Sequence, residues 1–171
     1  MQAVVGWVNI NGEWYCFNCD NVMETGWIVG GLRDERKYSY LWYYLKPNGT
    51  IFTGWIKSEG SWYYLNPSGD MATGWVNVEN KWYYMRKPIY KEGSPDGFYE
   101  FASGGQMQTG WQKDDENWYY LDTSSGAMAT GWQSIGGKWY YFNSNGAMLK
   151  GWHRTIGGKS YTFDANGLWV K

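Results

Sequence analysis

Residues 54–75 read GWIKSEGSWYYLNPSGDMATGW. Two short β-prone runs flank the polar, glycine-bearing stretch Ser58-Glu59-Gly60, which is the pattern of a β-hairpin. A second turn, Asn66-Pro67-Ser68-Gly69, leads to Met71 and then to the next Gly-Trp pair. No proline falls inside the strands, and no helical periodicity runs over a useful length. The segment is one unit of something larger.

Working outward, Gly-Trp recurs at Gly6-Trp7, Gly26-Trp27, Gly54-Trp55, Gly74-Trp75, Gly110-Trp111, Gly131-Trp132 and Gly151-Trp152, at intervals of 20, 28, 20, 36, 21 and 20. An aromatic quartet of the type WYYL begins at Trp14, Trp42, Trp62, Trp82, Trp118 and Trp139, most often seven residues after the Trp of the pair. Two phase-locked beats define a repeat array. The sequence predicts a single all-β module over 1–171 with about eight hairpin repeats, an enlarged hairpin at 28–41 and a degenerate copy at 86–109. In that copy Phe98-Tyr99-Glu100-Phe101 takes the quartet's place, and the last quartet, Ser160-Tyr161-Thr162-Phe163, is worn as terminal repeats tend to be.

Composition narrows the class further. Aromatics make up 21 % of the 171 residues, with 14 Trp, 16 Tyr and 6 Phe, whereas Val, Ile, Leu and Phe together number only 28. So small an aliphatic share normally marks disorder, but the net charge of −1 and the wealth of large rings imply an ordered core built from Trp and Tyr. That charge offers no attraction to nucleic acid, and no apolar run is long enough for membrane insertion. The start, MQAVVGWVNI, lacks the basic and apolar regions of a signal peptide, so the chain is expected to be a module cut from a longer protein or to lack its targeting information. One histidine, His153, gives no choice of partner for a nucleophile. The CxxC pair Cys16 and Cys19 is half of a four-cysteine zinc site and lacks the βαβ context of a redox motif. No catalytic residue, metal ligand or cofactor site is expected.

A hairpin of this size is not stable alone and must bury a face against its neighbours. Side chains alternate along a strand, so Trp62 and Tyr64 point one way and Tyr63 and Leu65 the other. The quartet's first Tyr and its final Leu, Met or Phe are expected to fill the core. The Gly-Trp indoles are read instead as ligand surface, because a core so poor in aliphatics does not require a Trp at every such position. The preceding glycines serve the backbone, through close approach or a positive φ. Asp114-Asp115-Glu116 reads as a solvated hairpin tip, and His153 as exposed.

The unit GWxxxxxxWYYLxxxGxMxTGW, closest at Gly54 to Trp75, Gly110 to Trp132 and Gly131 to Trp152, resembles the choline-binding repeat, or cell-wall-binding repeat, of bacterial surface proteins and phage endolysins. The resemblance implies a left-handed solenoid of stacked β-hairpins with aromatic boxes between consecutive repeats. Each box would take choline, displayed on teichoic or lipoteichoic acid, and the module would be a non-catalytic anchor, secreted to the bacterial cell surface or carried by a phage endolysin. The chemistry fits the composition. A quaternary ammonium has no N–H to donate and must be held by apolar contact and ring faces, at roughly 0.5–2 kcal/mol per ring. About 4 kcal/mol per site corresponds to about 1 mM, and a polymer carrying many cholines gains roughly 100-fold or more by avidity.

Carried over residue by residue, the resemblance implies boxes of Trp55 and Trp62 with Tyr84 and Met71, and of Trp111 and Trp118 with Tyr141 and Met128. Trp27 and Trp42 with Tyr64 keep three aromatics, with Ile51 at the Met position. Trp7 and Trp14 with Tyr44 and Met23 form a box at the chain start, and Trp132 and Trp139 with Met148 have only Tyr161 to supply a third ring. Trp75 and Trp82 face the degenerate copy, where Glu100 stands at the second Tyr position, and this box and the Trp132 box are read as either open or empty. The second Tyr is chosen because it shares a strand face with the quartet Trp, and the methionines are read either as box flanks or as gap-fillers. Two rivals stand beside this reading: a glucan- or oligosaccharide-binding repeat module, and an adhesin binding a host protein through the divergent 27–42 and 86–101 segments. Sugar stacking wants one or two rings with several Asn, Asp or Gln partners, whereas a cage wants rings on three sides.

Overall fold

The computed structural model describes residues 5–30, 41–88, 104–151 and 153–170. Among the described residues all regular structure is strand, with no helix. The strands come in consecutive pairs: β1 (Gly6–Ile10) with β2 (Glu13–Phe17), β3 (Gly26–Gly30) with β4 (Leu41–Leu45), β5 (Gly54–Ser58) with β6 (Ser61–Leu65), and β7 (Gly74–Val78) with β8 (Lys81–Met85). Then follow β9 (Gly110–Asp114) with β10 (Asn117–Leu121), β11 (Gly131–Ile135) with β12 (Lys138–Phe142), and β13 (His153–Ile156) with β14 (Lys159–Phe163), which also pairs with β15 (Trp169–Val170). This is the all-β hairpin array that the two beats predict. The chain divides into two compact units, one of residues 1–74 and 85–107 and the other of 75–84 and 108–171.

The register explains both beats. In β5–β6, Gly54 pairs with Leu65, Trp55 with Tyr64 and Ser58 with Ser61, leaving Glu59-Gly60 as a two-residue tip. Both tip residues have positive φ, 48° and 81°, the conformation that matches the right-handed twist of the strands. Gly30 pairs with Leu41, so the enlarged hairpin keeps its strand pairing up to residues 31–40, which lie outside the described residues. At the start of β9, Gly110 has a φ of 77°, and a Cβ there would meet nothing within 4 Å. Backbone handedness rather than close approach therefore selects glycine before the tryptophan.

The deepest core positions are the last residues of six quartets, whereas Phe17 at the end of the first is only half-buried. Leu45, Leu65, Met85, Leu121 and Phe142 are 0 % exposed and Phe163 is 1 % exposed. Each such side chain, fully buried, contributes about 1.5–3 kcal/mol. After the quartet a turn closes on itself, with Asn66 N–H donating to the Asp70 carbonyl (2.8 Å) and Gly69 N–H to the Asn66 carbonyl (2.7 Å). The chain then returns so that Met71 bridges Leu65. The same pair of bonds, from Arg86 N–H to the Gln106 carbonyl and from Gly105 N–H to the Arg86 carbonyl, spans the ends of the segment expected to be a degenerate copy. The centre of that segment, 89–103 with its Phe98-Tyr99-Glu100-Phe101, lies outside the described residues.

Hairpins are joined to their neighbours by single backbone bonds at the same place. Met71 N–H donates to the Trp42 carbonyl and Met107 N–H to the Trp62 carbonyl in the first unit. In the second, Met128 N–H donates to Trp82 and Met148 N–H to Trp118, all at 2.8 Å. Each thioether then lies against the turn glycine one repeat further on: Met23 against Gly49, Met71 against Gly105, Met128 against Gly146 and Met148 against Gly167. The methionine thus reaches three consecutive repeats.

Candidate ligand-binding seams

Among the described residues, the Gly-Trp indoles Trp27, Trp75, Trp111 and Trp132 each stand between two tyrosines, whereas Trp7 pairs across its hairpin with Cys16. The cross-strand tyrosine, the second Tyr of the indole's own quartet, lies behind it: Trp27–Tyr44 at 5.3 Å, Trp55–Tyr64 at 5.1 Å, Trp75–Tyr84 at 4.9 Å, Trp111–Tyr120 at 5.3 Å and Trp132–Tyr141 at 5.3 Å. Across the seam the indole meets the first Tyr of the next quartet: Trp7–Tyr43 at 4.9 Å, Trp27–Tyr63 at 5.0 Å, Trp75–Tyr119 at 4.7 Å, Trp111–Tyr140 at 4.9 Å and Trp132–Tyr161 at 4.8 Å. All these pairs are edge-to-face, the favoured geometry for rings with a negative face and positive edge.

At the Trp7, Trp27 and Trp111 seams the expected partner tyrosine is therefore replaced by its neighbour, while Tyr161 lies across from Trp132 as expected. Tyr44, Tyr64 and Tyr141 sit on their own hairpins' tryptophans, and so does Tyr84, while Tyr43, Tyr63 and Tyr140 cross the seam. Strand alternation does put Trp62 and Tyr64 on one face, but that face looks forward with Trp55, and Tyr63 looks back with Leu65. The methionines shift by the same logic. Met71 faces Trp27 and Trp42 rather than Trp55 and Trp62, and Met148 faces Trp111 and Trp118 rather than Trp132 and Trp139. Met128 bonds to Trp82, and Met23 packs on Gly49.

Two seams hold open cavities. In the first unit a cavity of about 260 Å³ is lined by Trp27, Trp42, Tyr63 and Met71, with Ser58, Glu59 and Gln106 at its polar edge. Trp27 and Trp42 cross at 70° with centroids 6.3 Å apart, and the Trp27 indole N–H donates to the Ser58 hydroxyl at 3.1 Å. In the second unit a cavity of about 430 Å³ is lined by Trp111, Trp118, Tyr140 and Met148, with Lys150 and Asn166 at its edge. Trp111 and Trp118 are 39 % and 38 % exposed, a poor use of indole unless something covers it. Rings set at steep angles around a hollow make a box rather than a flat platform.

The second unit holds two further seams. Trp75 packs on Tyr119 and the Met128 N–H donates to the Trp82 carbonyl, so this seam has the same four residue types as the open ones. It also holds a carboxylate: Trp75 Nε1–H donates to Asp114 Oδ2 and the Tyr84 hydroxyl to Asp114 Oδ1, both at 3.0 Å. The expected solvated tip thus begins only at Asp115. In the last seam Trp169, six residues after Phe163, takes the place that Met71 holds six residues after Leu65. Its ring lies 5.6 Å from Trp132 and 6.1 Å from Tyr161, and Phe163 stacks on Trp132 at 5.7 Å, so rings crowd the space beside Trp132. Trp152 lies outside the described residues.

This repeating arrangement has relatives. A family model described as the choline-binding repeat matches residues 32–74, 99–130 and 129–170, and a cell wall binding repeat model matches 5–18 and 73–87. The chain belongs to the choline-binding repeat family. The structure of CbpJ from Streptococcus pneumoniae TIGR4 is 35 % identical with a TM-score of 0.75, and the match covers 98 % of this chain and 52 % of that one. Choline binding protein F of Streptococcus pneumoniae, in the presence of a tetrasaccharide-pentapeptide peptidoglycan analogue, is 36 % identical with a TM-score of 0.72, covering 98 % and 47 %. The cell wall endolysin of phage Cp-1 complexed with choline is 30 % identical with a TM-score of 0.51, covering 87 % and 38 %. The chain spans about half the length of the streptococcal proteins it matches. No curated protein sequence matches it.

Within these choline-binding repeats, sequence reasoning missed the first tyrosines, Trp169, and the residue three positions after each Gly-Trp tryptophan, where Gly30, Ser58 and Asp114 stand. The sequence carries no signal for the last: the position holds Ile10, Gly30, Ser58, Val78, Asp114, Ile135 and Thr155, and the two positions before it vary as freely. Elsewhere, Cys16 is half-buried and Cys19 exposed, with no disulfide between them. Burial, and then the charge of Glu24, push the Cys16 thiol upward. His153 is exposed, with Nδ1 2.7 Å from the Thr162 hydroxyl.

Proposed function

We propose that this chain is a non-catalytic module that anchors its parent protein to the bacterial cell wall by binding choline residues of teichoic or lipoteichoic acid. The observation that carries the reading is the pair of open boxes, Trp27–Trp42–Tyr63–Met71 and Trp111–Trp118–Tyr140–Met148. Cavities of about 260 and 430 Å³ lie just below and in the lower part of the range for drug-sized ligands and suit a small head group. Steeply inclined rings on several sides favour a methylated cation over a sugar ring, which would want a flat stacking surface and more hydrogen-bond partners. The relatives' complexes with choline and with a peptidoglycan analogue agree with action at the wall. Each box is weak, near millimolar, and the polymer makes the attachment firm through successive engagement. The parent protein carries any hydrolase or adhesin activity elsewhere, at the cell surface or in a phage lysin.

The test is a choline titration followed by tryptophan fluorescence, with glycerol and a glucan oligomer as controls. Saturation by choline alone is the expected result. A saturable response to glucan with none to choline would overturn the reading in favour of a carbohydrate-binding module.

A further inference from the structure

At two seams the residue three positions after a Gly-Trp tryptophan meets the indole of the hairpin before it, and the two residues differ in charge. Ser58 meets the Trp27 indole and lines its cavity, and Asp114 holds the equivalent place before Trp75. The residue before Gly-Trp varies in the same way. It is Val at position 5, Thr at positions 25, 53, 73, 109 and 130 but Lys at 150, and Lys150 lines the Trp111 cavity with its Nζ 3.1 Å from the Glu116 carbonyl. Two seams of one unit, with the same aromatic plan, thus carry a carboxylate and an ammonium respectively.

We propose that Asp114 makes the Trp75–Trp82–Tyr119 seam a charge-assisted cation site, discriminating a cationic head group from its neutral isostere far better than the Trp111–Trp118–Tyr140 seam, whose mouth carries Lys150. This rests on the choline reading above and adds a ranking among the boxes. The carboxylate accepts one bond from Trp75 and one from Tyr84, so its charge is held beside the ring against which a bound cation would lie. Each carboxylate oxygen has two acceptor positions, so both bonds can persist while the charge acts on the ligand. An indole N–H donating to a carboxylate is also polarised, which makes the ring face more negative and strengthens its attraction for a cation. At about 5–6 Å and an effective dielectric of about 45–80, as for a charge open to solvent, one such charge changes cation affinity about three- to tenfold. Lys150 acts in the opposite sense at its own seam.

The experiment is a titration of the whole chain read at individual indole N–H resonances by NMR, with Trp75 assigned by its loss in Trp75→Phe and Trp111 by its loss in Trp111→Phe. The ligands are choline and 3,3-dimethyl-1-butanol, its uncharged isostere. Choline should saturate Trp75 at about three- to tenfold lower concentration than Trp111, and the gap should close as salt rises from about 0.01 to about 1 M and the screening length falls from about 30 to about 3 Å. Asp114→Asn should weaken choline at Trp75 by that factor and leave the neutral isostere there and choline at Trp111 unchanged. Lys150→Thr should tighten choline at Trp111. Equal weakening of choline and isostere in Asp114→Asn would mean that Asp114 only props the rings, and no change for either ligand would mean that its charge does not reach the site; both results overturn the proposal. If Trp111 responds to choline and Trp75 does not, the proposal falls while the choline reading stands. If no indole responds to choline, the choline reading falls as well.

Discussion

Replacing Gly146 with alanine probes the joint that holds one repeat to the next. Gly146 has a φ of 82°, which costs an L-residue about 1–2 kcal/mol. A Cβ there would also lie 2.6 Å from Met128 Cε and closer still to its sulfur, so the thioether must leave its place against the turn. Overpacking of this kind costs about 1–3 kcal/mol. Together Gly146→Ala should destabilise the chain by about 2–5 kcal/mol. In a Met128→Ala background the steric part disappears and only about 1–2 kcal/mol should remain. The double-mutant cycle, measured by urea unfolding with the m-values compared, should therefore show a coupling of about 1–3 kcal/mol. An equal penalty in both backgrounds would refute the idea that the methionine and the next turn's glycine form one device.

Tyr63→Ala should weaken choline at the Trp27 seam by roughly 2- to 30-fold, the value of one ring contact, and Tyr64→Ala should not; titration read at the Trp27 indole resonance decides between the two tyrosines. Trp169→Ala should clear the space beside Trp132 and add a choline response at its indole, and a response of equal strength in the unaltered chain would show that Trp169 does not close that seam. Cys19 should alkylate well before Cys16 under iodoacetamide at pH 8, as mass spectrometry of peptides would show, because the Cys16 thiol is half-buried, pushed upward by burial and then by the Glu24 charge.

The hairpins were legible because their signals are local. The tip Glu59-Gly60, the turn Asn66 to Gly69 and the quartet's alternation are all settled within one unit, and β5–β6 follows them residue by residue. Which tyrosine faces which neighbour was not legible, since alternation gives two faces without saying which looks backward. Tyr63 and Tyr64 are identical side chains in adjacent positions, and only the stacking direction distinguishes them. Asp114 misled for a related reason. An acidic run at a hairpin tip looks solvated, yet its first member is the last strand residue and projects against Trp75 of the preceding hairpin. Trp169 was invisible because its likeness to Met71 lies in spacing from the quartet, not in residue type.

The most direct test of the account is a crystal structure of the chain grown with choline. The account predicts a trimethylammonium group within about 6 Å of the ring centroids of Trp27, Trp42 and Tyr63, and a second one among Trp111, Trp118 and Tyr140. Choline absent from both seams at saturating concentration, with those rings unchanged and the hollows between them filled only by solvent, would contradict it.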